Sequence, residues 1–301
     1  MAQLEFKSYL NALFAGKGKT GATAYQLSND ELKEINSFLV KDSLIGTLGT
    51  DLAVSETSTS NVVILKNIGQ GWNEKTGPGM NGNYEKGRYA TETFNWNAPY
   101  FQAVGFTEAD KKMKVPQAAA IKLEKASVDY NNAFEAESWK KLETHLKTAD
   151  SKKITKDLLD KTITDKEVYE IVIGLGTALM QHKNDDDGID KIPKDKIIIH
   201  VKPEVFDRIS LAGLVGNRAE ISFVGGQYSI GIVGGYKIIG NPYLDNMQAM
   251  AGATFSALSM ISVNAANIDR LAPTNDIGLY YEAMSLFGIA YKDCFRTVQK
   301  A

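Results

Sequence analysis

The sequence predicts an α+β protein, and three segments carry that reading. Residues 116–148 hold Leu123, Ala126, Tyr130, Phe134, Leu142 and Leu146 at helical spacing. Residues 61–97 pair a β-branched run, Val62-Val63-Ile64-Leu65, with a stretch in which Glu92, Phe94 and Trp96 alternate with Thr91, Thr93 and Asn95. Ile197-Ile198-Ile199-His200-Val201 reads as a strand buried on both faces.

The elements follow in order. Residues 2–14 place Leu4, Phe6, Leu10, Leu13 and Phe14 at helical spacing, and Gly16, Gly18 and Gly21 are expected to stop that helix. A second helix is expected over 28–41. Ser28 or Asn29 can cap it, Glu31 and Glu34 suit its first turns, and Leu32, Ile35, Phe38 and Leu39 form its stripe. Residues 42–60, with Gly46, Gly49 and many Ser and Thr, read as an extended, weakly structured connection. Residues 61–97 then make a long hairpin whose tip carries Gly69, Gly71, Gly77, Gly79, Gly82 and Gly87 and is expected to be mobile. Such a hairpin is marginal alone and needs a surface to lie on, for which a neighbouring subunit is the natural candidate.

Pro116 suits the first turn of the long helix. Glu137 with Lys141, and Glu143 with Lys147, stand at i,i+4 in the favoured order. At ~1.5 Å per residue the helix is a rod of roughly 50 Å, long for a compact enzyme domain. Another helix is expected over 165–182, then an acidic loop at 184–188, the strand 197–201, and a short helix over 203–209 begun by Pro203. Short strands turned by Gly225-Gly226 and Gly234-Gly235 occupy 221–244. A weak helix is expected over 247–257, with strands to the C-terminus.

Composition excludes several classes. Of 301 residues, 44% are hydrophobic and 23% charged, with 34 basic against 36 acidic side chains. That balance gives no electrostatic footprint for tight nucleic-acid binding. The single cysteine, Cys294, cannot form an intrachain disulfide and reads as a partly buried, inert thiol. The first residues lack a basic stretch followed by an apolar one, and no segment approaches the ~20 apolar residues of a membrane span. A protein made and used in a cytoplasm, or in something assembled there, is expected.

No chemical motif is complete. Gly18-Lys19-Thr20 ends like a phosphate-binding loop, but Leu13 stands where its first glycine belongs and a helix leads in. Gly174-Leu175-Gly176 lacks the third small residue of a dinucleotide fingerprint, because Leu179 is there, and reads as a helix with close-packing glycines. Asp185-Asp186-Asp187-Gly188 puts Lys183 and Lys194 at ligand positions of a calcium loop, so a solvated acidic turn is expected. His145, His182 and His200 show no metal-ligand spacing, and no nucleophile elbow is present. No catalytic, cofactor or metal residue is therefore expected. Trp72, Tyr84, Tyr89, Trp96, Tyr100 and Phe101 beside Lys66, Lys75, Lys86 and Arg88 could stack single-stranded bases, but packing of the hairpin on another subunit explains them as well.

What remains is an order of elements: polar arm, long hairpin, rod helix, then an α/β part returning to a final strand. That order resembles the Hong Kong 97-type major capsid proteins of tailed phages. Residues 118–148 resemble that family's spine helix. Residues 192–206, ending Pro203-Glu204-Val205-Phe206, resemble its strand and "Pro-Glu-Val-Tyr" entry into the axial domain. Tyr236-Lys237-Ile238-Ile239-Gly240-Asn241-Pro242-Tyr243-Leu244 resembles the strand after its glycine turn, and residues 276–291 its closing strands. The resemblance covers nearly the whole chain and is closest to siphophages of Gram-positive hosts.

The resemblance implies an N-terminal arm at 1–57, an E-loop hairpin at 58–100, a peripheral domain with spine helix at 101–164, an axial domain at 165–265, and returning peripheral strands at 266–301. It implies inter-subunit contacts by Lys66, Trp72, Tyr84, Lys86, Arg88, Phe94 and Trp96 of the E-loop, and by Leu4, Phe6, Leu10 and Phe14 of the arm. The implied function is a non-enzymatic shell protein without cofactor. It forms homo-hexamers and homo-pentamers of an icosahedral virion head assembled in the bacterial cytoplasm. Portal, scaffold and decoration proteins are the further partners, with packaged double-stranded DNA held without sequence specificity. No charged coiled-coil region stands at the N-terminus, so a separate scaffold or none is expected, and no covalent cross-link is predicted. The alternative contents are an encapsulin-type nanocompartment shell, a single-strand nucleic-acid binder, or an enzyme whose site assembles only in space.

Overall fold

The structure is a computed structural model and describes residues 2–18, 25–41, 43–69, 88–112, 115–147, 153–215, 230–271 and 276–300. Helix α1 spans Ala2–Gly18, so it continues through Gly16 where a stop was expected. Strand β1, Tyr25–Gln26, leads to α2, Asn29–Lys41. Ser28 and Glu31 cap α2 reciprocally: the Ser28 N–H donates to Glu31 Oε2 at 2.7 Å, and the Glu31 N–H to Ser28 Oγ at 3.3 Å. The expected weak connection at 42–60 is instead built. It forms a 3-10 turn, Ile45–Gly49, whose Ile45 and Leu48 are fully buried, and then β2, Val54–Thr57. Two apolar side chains three apart suffice to fix a tight turn when a core receives them.

The hairpin strands are β3, Asn61–Gly69, and β4, Arg88–Asn95. Strand β5, Tyr100–Gly105, and the short α3, Glu108–Lys112, precede α4, Val115–Lys147, the long helix expected. Strand β6 is Lys153–Thr155, and α5 is Asp165–Met180, opened by a capping box between Thr164 and Glu167. Gly174 and Gly176 lie within α5. A Cβ on Gly176 would stand 2.9 Å from the Tyr236 ring, so this glycine is the close-packing one.

Strands β7, Lys183–Asn184, and β8, Ile189–Asp190, bracket the acidic turn. Then come β9, Ile197–Val201, and α6, Pro203–Val215, longer than the expected 203–209. Strands β10, Ile230–Val233, and β11, Tyr236–Gly240, are joined by Gly234 and Gly235 with φ of 60° and 81°, the two positive values such a tight turn demands. Gly225 and Gly226 lie outside the described residues.

The expected helix over 247–257 is a strand, β12, Met247–Ala253. Its Ala and Met content favours a helix locally, but all seven residues are buried between two helical layers. Ala249, Ala251 and Ala253 face α5 and α6, while Met250 and Gly252 face α4 and Leu48. Strands β13, Ala257–Leu271, β14, Asp276–Ile289, and β15, Phe295–Gln299, complete the chain.

Two main sheets result. The first has the order β1-β13-β14-β5, all antiparallel, under α1, α2 and α4. The second is mixed, β10-β11-β9-β12-β15-β6, with α5 and α6 on one face and α4 on the other. Strand β13 continues past residue 265 with a register shift between Val263 and Ala265, and β15 lies in the second sheet beside β12. Strands β2-β3-β4 form a third, smaller sheet.

Candidate inter-subunit hairpin and its anchor

The inward face of the hairpin grades from apolar to charged. Val62 and Ile64 are fully buried and pack with Leu258, Leu286 and Ala290, against which Phe94 and Trp96 also lie. A Cβ on Gly288 would stand 2.1 Å from the Phe94 ring, so the bare glycine of β14 is the seat of that phenyl group. The Trp96 indole N–H donates to the Ser58 carbonyl at 3.1 Å. Two residues beyond Ile64 on the same face stands Lys66. Its ammonium meets Glu92 of β4 at 3.0 Å and Asp187 at 3.2 Å, and lies 4.7 Å from the centre of the Tyr291 ring. Only 12% of the Lys66 side chain is exposed. Burial opposes its charge, but hydrogen bonds to Glu92 and Asp187 outweigh that and raise Lys66 above the usual lysine range.

The sequence-derived site residues now divide. Lys66, Phe94 and Trp96 are engaged within their own chain. Arg88 is exposed at the hairpin's far end, as is Tyr89. Trp72, Tyr84 and Lys86 lie outside the described residues. In the arm, Phe6, Leu10 and Phe14 are buried in the chain's own core, beneath α2 and α4. An amphipathic helix buries its stripe against the nearest apolar surface, here in the same chain. The Leu4 side chain lies outside the described residues.

Asp187 is the residue that sequence reasoning missed. Its turn was expected to be solvated, yet Oδ1 receives Lys66 and Oδ2 receives the Asn184 amide at 3.0 Å. Neighbouring Gly188 has φ of 70°, and a Cβ there would stand 2.3 Å from the Asn67 carbonyl oxygen. An open groove of about 350 Å³ runs beneath this contact, lined by Asp51, Leu65, Asn67, Asp187, Lys191 and Tyr291. Among the described residues no three His, Cys, Asp or Glu side chains converge to hold a metal ion. His200 is buried against Trp139, with ring centres 4.8 Å apart, and its Nε2 lies 3.1 Å from the Thr47 hydroxyl. Cys294 is buried.

No protein-family model and no curated protein matches the sequence. Solved structures do match the fold. The chain is similar to the capsid structure of cyanophage P-SCSP1u, with a TM-score of 0.55 at 11% identity, over 86% of this chain and 88% of that one. The fold is that of a phage capsid protein. A Mycobacterium phage Bobi structure matches with a TM-score of 0.53 at 11% identity, over 86% and 90% of the two chains. The capsid structure of Staphylococcus phage Andhra matches at 0.51 and 8% identity, over 84% and 83%. The α+β, Hong Kong 97-type architecture expected from the sequence is thus the one found.

Proposed function

We propose that this chain is the major capsid protein of a tailed bacteriophage. It is a structural subunit, not an enzyme. Copies of it form hexamers and pentamers that close an icosahedral head around double-stranded DNA. The observation that carries this reading is a likeness to a phage capsid structure that spans 86% of this chain and 88% of that one. A shell needs many modest interfaces, each burying roughly 1,000–2,000 Å². The hairpin sheet, with every residue of β2 exposed and alternate residues of β4 exposed, offers surface for one of them. The net charge of −2 is compatible with DNA held by confinement. Within this reading the particle assembles in the bacterial cytoplasm and becomes the virion head, with portal, scaffold and decoration proteins as the partners of assembly.

Negative-stain electron microscopy of the chain expressed alone, with sizing chromatography, tests this directly. Shells, tubes, or rings of five or six subunits are expected. A monodisperse monomer or dimer that stays unassembled under crowding and with added scaffold would overturn the reading.

A further inference from the structure

We infer that Lys66 is the bolt of a latch within one subunit: it ties the base of the hairpin to the 185–188 turn and thereby sets the angle at which the hairpin leaves the body. Three observations converge on it. Lys66 bridges Glu92 on the hairpin and Asp187 on the body, while the face of Tyr291, another body residue, closes over the ammonium. The Gly188 backbone touches that of Asn67 so closely that no side chain fits between them. The apolar seat ends at Ile64, and beyond it Asn67 and Gly69 are exposed.

The two kinds of anchor differ in what they constrain. Apolar packing of Val62, Ile64 and Phe94 is non-directional and tolerates rotation about the seat. A charged hydrogen bond to a carboxylate fixed by its own partner does not. Asp187 is so fixed, because its second oxygen is held by Asn184, whose amide also reaches Asp293 at 3.2 Å. With Lys66 seated, the hairpin has one angle; with it withdrawn, the hairpin pivots on Phe94 over Gly288. The latch acts inside one chain, and only its consequence, a hairpin that fits subunit environments of different curvature, rests on the capsid reading.

The test uses nitroxide labels on the full-length chain at Tyr89→Cys, five residues out from the Phe94 pivot, and Lys166→Cys, both exposed positions, diluted with unlabelled protein so that only distances within a chain are read. Cys294 is buried and stays unlabelled under native conditions. Pulsed electron resonance of the otherwise unaltered protein is expected to give one narrow distance. Lys66→Met and the isosteric Asp187→Asn are each expected to raise a second distance population about tenfold, the scale of a charge-assisted hydrogen bond, and Lys66→Arg to restore the single one. A distribution that stays narrow in both variants would overturn the latch, since the apolar seat alone would then hold the angle. A broad distribution in the unaltered protein would overturn it equally. Sizing of the same samples keeps the two ideas apart: a chain that never assembles but shows these shifts removes the shell reading and leaves the latch standing.

Discussion

Glu135 and Glu143, roughly two turns apart on α4, each accept hydrogen bonds from main-chain N–H groups of distant segments. Glu135 receives the Ser43 hydroxyl at 2.5 Å, the Ile45 N–H at 3.0 Å and the Trp139 indole at 3.0 Å. Glu143 receives the N–H groups of Asp245, Asn246 and Met247 at 2.8, 3.1 and 3.2 Å. One buried carboxylate thus fastens the N-terminal connection to the long helix. The other fastens the loop that enters β12.

Glu143→Ala is expected to destabilise the chain by about 3 kcal/mol, because it strands three backbone donors near the core. Glu143→Gln, which keeps one acceptor oxygen, should cost less. Denaturant unfolding of the two variants checks the order. Equal, small losses would mean that water replaces the carboxylate at no cost.

Glu135 predicts an acid-side signature. Burial raises its carboxyl above 4.5, overcoming the hydrogen bonds from Ser43, Ile45 and Trp139 that oppose the rise. The folded state then binds this proton more tightly than the unfolded state does. Stabilisation from Glu135 is complete below pH 4.5 and is lost as pH rises through the raised value. The stability of the unaltered chain relative to Glu135→Gln should therefore fall as pH increases from 4.5 toward neutrality. A flat difference would show the carboxylate to be fully compensated.

His200 predicts the opposite slope. Burial, and then the Lys237 charge, lower it from 6.5 to about 3. Its contribution is complete above pH 6.5 and is lost as pH falls toward 3, at up to about 1.4 kcal/mol per pH unit. Relative to His200→Gln, the unaltered chain should lose stability across that window. Chemical unfolding at a series of pH values measures it.

Helix α1 distinguishes a core element from an arm. Phe6 and Leu10 are 3% and 0% exposed, so Phe6→Ala and Leu10→Ala should each cost about 2–5 kcal/mol in thermal or denaturant unfolding of the isolated chain. Losses below about 0.5 kcal/mol, the range of surface substitutions, would return these residues to an exchangeable arm.

Gly288→Ala tests the seat of the hairpin. The added methyl group meets the Phe94 ring at 2.1 Å, so the ring must move, at about 1–3 kcal/mol. The loss should vanish in the Phe94→Ala background, and a double-mutant cycle reads that coupling.

The sequence by itself determined what depends on short range. The apolar stripe of α4, the Ser28–Glu31 cap, the alternation through Glu92, Phe94 and Trp96, and the Gly234-Gly235 turn all follow from spacing and backbone preference among neighbours. Their order along the chain also carried the fold, because few architectures combine so long a helix with so long a hairpin. Only the tertiary structure decided the rest. It turned the Ala- and Met-rich segment 247–253 into a strand, because small side chains were needed on both faces of a sheet between two helical layers. It buried Phe6, Leu10 and Phe14 in their own subunit, took Glu143 from Lys147 to the backbone of residues 245–247, and set Asp187 beside Lys66. In each case the partner lies far away in sequence. Local propensity amounts to a few tenths of a kcal/mol per residue, less than burial or a charged hydrogen bond supplies once the chain has closed on itself.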